Sequence, residues 1–105
     1  MNTNPIYTIT VMTKLETDDK GWLNTGSTRI VGFRHELDSA KEVVEKNMCD
    51  IWETCYDYAV IEKVDPCLYP DCMERYFFKY NKEKDGYDPI PEPECAKHFN
   101  AFGIG

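Results

Sequence analysis

The chain has 105 residues, 42% of them hydrophobic and 13% aromatic, which predicts one packed domain over residues 1–105 and argues against a disordered polymer. Its 12 basic and 19 acidic residues give a formal charge of -7, and its densest cationic stretch is Lys79, Lys82 and Lys84 around one turn, so direct binding to nucleic acid is not expected. No run approaches the roughly 20 apolar residues of a membrane span, and MNTNPIYTITVM has neither the basic flank nor the long apolar core of a secretion signal, so a cytoplasmic location is expected.

Tyr7, Ile9, Val11 and Leu15 alternate with Thr8, Thr10, Met12 and Lys14, the period of a half-buried first strand. Asp18 to Gly26 carries turn-forming Asp, Asn and two glycines, and Thr28 to Arg34 resumes an extended pattern, so the two strands form an antiparallel hairpin with a long loop. Ser39 and Glu42 have the spacing of a capping box, and Ala40, Val43, Val44, Met48, Ile51, Trp52 and Cys55 recur at helical spacing. A helix over Ser39 to Thr54 with that face buried is predicted.

Tyr56 to Val64 contains the apolar run Tyr58-Ala59-Val60-Ile61 and reads as an interior third strand. Asp65 to Cys72 holds two prolines and reads as a surface loop, after which Arg75 to Tyr80 alternates as a fourth strand. Asp85-Gly86 closes a charged tight turn, and Tyr87 to Ile90 returns as an edge strand limited by the prolines at 89, 91 and 93. In the apolar C-terminal stretch Phe99, Phe102 and Ile104 are expected to pack on the domain. The predicted fold is therefore ββαββ-like: an antiparallel sheet of four to five strands with one long helix on one face.

The five cysteines Cys49, Cys55, Cys67, Cys72 and Cys95 are odd in number and are read as reduced thiols. Cys67-x4-Cys72 with Cys95-x2-His98 contains the donors of a tetrahedral zinc site at imperfect spacing, which leaves a zinc-stabilised interaction module as an alternative. Cys95 with His98, or Cys49 with His35, would supply the nucleophile and base of a minor enzyme, a further alternative that needs spatial contact and an orienting third group. There is no G-x-S-x-G, Walker or dinucleotide motif, so no cofactor is expected and a non-enzymatic role is favoured. Trp22, Arg29 and Arg34 are the candidate ligand-binding residues, because an aromatic face stacks on a planar group while arginine forks grip an anion. The competing reading folds Trp22 over the helix and pairs the arginines with nearby glutamates. The acidic surface either aids solubility alone or steers the protein to a basic partner surface.

Tyr7-Thr8-Ile9-Thr10-Val11-Met12-Thr13, Arg29-Ile30-Val31-Gly32, Asn47-Met48-Cys49-Asp50-Ile51, Tyr56 to Lys63 and Phe102-Gly103-Ile104-Gly105 together resemble a family of small hypothetical proteins from Firmicutes and their phages and mobile elements. The resemblance carries no catalytic motif and does not extend to Cys67 and Cys72. It implies a small protein that opposes a host defence system from within the host cytoplasm, either by covering a defence protein or by holding a nucleotide-like signal molecule.

Overall fold

Alternating β-branched and aromatic residues pair into an antiparallel sheet, and the computed structural model describes this arrangement for residues 5–48, 55–64 and 72–96. In chain order the elements are β1 (Ile6–Met12), β2 (Glu16–Thr17), β3 (Leu23–Asn24), β4 (Thr28–Arg34), helix α1 (Leu37–Glu45), β5 (Tyr58–Val64), β6 (Cys72–Asn81), β7 (Gly86–Ile90) and a 3₁₀ turn at Glu94–Ala96. Five strands form one sheet in the order β4-β1-β5-β6-β7, all neighbours antiparallel, and the short β2 and β3 pair separately. The helix-on-sheet α+β fold expected from the sequence is the fold observed.

The chain makes the hairpin β1–β4, crosses over through α1 and returns as β5 beside β1. One face of the sheet carries Ile9, Val11, Ala59, Ile61, Phe78 and Tyr87, which pack with Ala40, Val43 and Val44 of α1. The opposite face carries Met12, Val60 and Phe77, packed with Ala96 of the 3₁₀ turn. The expected half-buried first strand is thus corrected, since Thr8 through Met12 are buried on both faces. Alternation in a strand reports side-chain chemistry, and threonine is compatible with either solvent or interior.

The helix also departs from expectation at both ends. Glu36, not Ser39, is the N-cap, in extended conformation and with no side-chain cap, so Ser39 lies inside the first turn and the capping box does not form. At the other end Asn47 takes φ 49, and the Asn47 and Met48 amides donate to the Val44 and Val43 carbonyls at 3.1 and 3.0 Å. These paired bonds close the helix in a Schellman motif, with the asparagine supplying the left-handed residue. Met48 and Cys55, expected on the buried face, are both exposed. Trp52 and Ile51 lie outside the described residues, as do Asp65 to Asp71 and Phe99, Phe102 and Ile104.

Two close approaches lock the remaining connections. Gly86 follows Asp85, whose φ of 49 matches the expected Asp-Gly turn, and a Cβ on Gly86 would lie 2.1 Å from the Glu45 carbonyl oxygen. The β6–β7 turn therefore fits under the C-terminus of α1. Asp85 tightens the junction by accepting from the Tyr80 hydroxyl at 2.7 Å and the Asn47 side-chain amide at 3.3 Å. Among the described residues no helix is long and apolar enough to cross a membrane.

Candidate functional site

The hairpin that contains the sequence-predicted site residues is longer than its strands in the main sheet. Beyond Met12 the ladder continues through Thr13 and Lys14, whose amides donate to the Ser27 and Thr25 carbonyls at 3.0 and 3.1 Å, and then through β2 and β3. Gly26 permits this because its φ is 63 and a Cβ would sit 2.2 Å from the Thr13 hydroxyl. The tip is closed by Asp18, whose carboxylate accepts the Lys20 and Trp22 amides at 2.9 Å each. The Asp18 amide donates to the Trp22 carbonyl at 2.8 Å, so the backbone of Trp22 is bonded in both directions. Trp22 is nonetheless 70% exposed. A single exposed aromatic is common on protein surfaces, and Trp22 carries weight here because Ile30 and Phe33 are exposed on the same hairpin.

Arg29 and Arg34 lie farther along the same hairpin on β4. Trp22 lies at the tip beyond β3 and is separated from Arg29 by a stretch that turns at Gly26, while Arg34 stands at the far end of β4. The three residues thus stand at different points of one hairpin, the tip and the two ends of β4. The Arg29 guanidinium sits 5.6 Å from the centre of the Tyr56 ring, on the helix face, and Arg34 donates to the Phe33 carbonyl at 3.0 Å. The reading in which Trp22 folds over the helix is not what is observed.

Sequence reasoning missed how β4 presents its apolar residues. The register runs Ile9 opposite Gly32 and then Thr10 opposite Ile30, so Val31 is an extra, bulged residue. The bulge moves Ile30 to the same face as Phe33, three residues on, whereas strict alternation would put them on opposite faces. The two side chains are 53% and 49% exposed, and Phe33 is met edge-on by His35 with ring centres 5.5 Å apart. Arg29 and Arg34 occupy the other face, opposite Val11 and Tyr7. The signal available in the sequence was Gly32 inside a strand pattern, a common mark of a bulge.

Behind this edge the sheet holds a buried polar row. Thr8, Glu62 and Arg75 are cross-strand neighbours on the face opposite the helix, and Glu62 is fully buried. The Arg75 Nε lies 3.4 Å from a Glu62 carboxylate oxygen, its Nη1 donates to the Ala96 carbonyl at 3.1 Å, and the Thr8 hydroxyl donates to the Glu62 carbonyl at 3.4 Å. One arginine thus ties the 3₁₀ turn to the sheet. The Thr10 hydroxyl, in the next row, is buried with no hydrogen-bond partner among the described residues.

The perturbed titrations belong to structural contacts. Tyr76 is pushed up to about 12, first by its hydrogen bond to Glu74 and then by burial, and the Lys41 ammonium stands 5.1 Å from its ring centre. Burial raises Tyr87, whose hydroxyl donates to the Tyr56 carbonyl at 2.6 Å. Asp85 raises Tyr80 through the hydrogen bond described above. Lys84 and Asn81 hold Asp88 below its usual range by hydrogen bonding to it on the β6–β7 hairpin.

Of the candidate zinc and nucleophile residues, Cys95 is partly exposed, His35 borders Phe33, and Cys49, Cys67 and His98 lie outside the described residues. Among the described residues no group of three or more His, Cys, Asp or Glu side chains is placed to hold a metal ion. Compared with known families, curated proteins and solved structures, the chain matches none.

Proposed function

We propose that the chain is a small non-enzymatic binding protein that acts by covering a surface of another protein. The observation that carries this reading is the row of exposed apolar side chains on one ordered hairpin: Trp22 at its tip, with Ile30 and Phe33 along its outer strand. Large apolar groups on bonded backbone lose little conformational entropy when buried by a partner, which suits them to anchor an interface. Such a hairpin fits covering a flat or grooved surface better than enclosing a small molecule, since its aromatic tip and its arginines are spread along its length. The resemblance drawn from the sequence makes a component of a host defence system the target class.

The test is capture of a host protein by the immobilised chain, its identification by mass spectrometry, and measurement of affinity with the purified partner. Trp22→Ala, and separately Ile30→Ser with Phe33→Ser, are expected to weaken binding about thirtyfold each, as for anchors of an interface. Calorimetric binding of a cyclic nucleotide that survives these changes, with no purified protein bound, would replace the reading with a nucleotide-holding one.

A further inference from the structure

We propose that β4 is an open docking edge that takes an extended, acidic strand of a partner protein, adding a sixth strand to the sheet; this rests on the protein-binding reading above. Among the described residues β4 is the outermost strand on its side and pairs only with β1. Its outer backbone groups are therefore available to another strand, the basis of recognition by strand addition. The other edge, β7, is shorter at five residues and contains Pro89, which lacks an amide donor.

Side-chain chemistry then selects what kind of strand fits. Because of the bulge at Val31, Ile30 and Phe33 project together from one face, while Arg29 and Arg34 project from the other. Thr28–Arg34 holds two arginines and no acid, in a chain where acids outnumber bases 19 to 12. A strand laid alongside meets apolar neighbours on one face and cations on the other, so alternating apolar and acidic residues complement it. Arg34 adds a selective device. Its guanidinium donates to the Phe33 carbonyl at 3.0 Å, which occupies a backbone acceptor at this edge. A partner carboxylate, a stronger acceptor for a guanidinium, draws Arg34 away and leaves that carbonyl for a partner amide.

A second copy of this chain is the less suitable occupant. In the symmetric antiparallel register that sets Ile30 against Phe33 of the second copy, Arg29 falls opposite Arg34, and like charges directly opposed are destabilising.

The edge is tested with two synthetic nine-residue peptides, one alternating valine and glutamate and one alternating valine and lysine. The full chain is titrated with each while its backbone amides are followed by NMR. The expected result is movement of the Thr28 to His35 amides by the glutamate peptide, with the lysine peptide at least tenfold weaker. A chain carrying both Arg29→Glu and Arg34→Glu, exposed positions whose folding is checked by circular dichroism, is expected to invert that preference. Failure of both peptides to move these amides overturns the proposal, as does equal binding of both by the two chains. Sedimentation showing a wild-type dimer with protected β4 amides also overturns it in favour of a second copy. If the peptides fail while Trp22→Ala still abolishes binding of the purified protein partner, the docking edge is wrong and the protein-binding reading stands.

Discussion

Arg75 joins three parts of the molecule: it faces Glu62 on β5, belongs to β6 and holds the carbonyl of Ala96. A buried ion pair is weak grounds for net stability, because both charges lose hydration, but removing one partner alone is costly. Arg75→Ala is expected to destabilise the fold by about 3 kcal/mol in denaturant melts, and Arg75→Met combined with Glu62→Leu by much less. Equal losses for the two chains would show that the pair does not act as a unit. Gly86 is constrained in a different way. A methyl at Gly86 has backbone, not a flexible side chain, 2.1 Å away, so Gly86→Ala is expected to cost about 1 to 3 kcal/mol by forcing the β6–β7 turn off the helix. Unchanged stability would mean that this junction yields readily.

At the scale of elements, the ends of α1 determine how much of the sequence pattern becomes helix. Glu36 has the extended N-cap conformation (φ -127, ψ 141) but makes no cap with its side chain, while Ser39 sits in the helix proper. Glu36→Ser is therefore expected to stabilise by about 0.5 to 1 kcal/mol, and Ser39→Ala to change stability by less than about 0.5 kcal/mol. A loss near 1 kcal/mol at Ser39 would restore the capping box that the sequence suggested. At the C-terminal end, Asn47→Ala places an ordinary residue at φ 49 and removes the bond to Asp85, with an expected cost of about 1 to 2 kcal/mol. Asn47→Gly keeps the conformational freedom and is expected to cost less, a difference that thermal melts resolve. The apolar periodicity continues past Glu45, which is why it suggested a longer helix. Periodicity records which positions are apolar, but not where an asparagine turns the chain.

For the molecule as a whole, three tyrosines link folding to alkaline pH. Tyr76, Tyr80 and Tyr87 all release their protons above the ordinary value of 10.0, so the folded chain holds protons that the unfolded chain gives up. Their contribution to stability is complete below pH 10 and falls away as pH rises toward 12, where Tyr76 titrates. Melting temperatures measured from pH 9 to 12 are expected to drop across that window, with a shallower slope for Tyr76→Phe. A flat profile would contradict the raised values.

Much of this architecture was legible in the residues alone. Alternation located β1 and β6, an extended pattern β4 and an apolar run β5 to within a few positions, Asp-Gly marked the turn into β7, and the apolar stripe of Ala40, Val43 and Val44 identified the buried helix face. These are local signals, since the period of side-chain direction and the conformational freedom of glycine act within a few residues. Three features depended on tertiary structure. Thr8, Thr10 and Glu62 are interior because the sheet is covered on its second face, and a polar residue does not reveal in sequence whether a neighbour will satisfy it. Trp22, Arg29 and Arg34 are close in sequence yet spread along an arm, because an extended hairpin separates residues that a compact loop would gather. The shared face of Ile30 and Phe33 follows from one bulged residue, a shift of register made only when β4 pairs with β1, and this reverses the alternation on which the sequence reading depends.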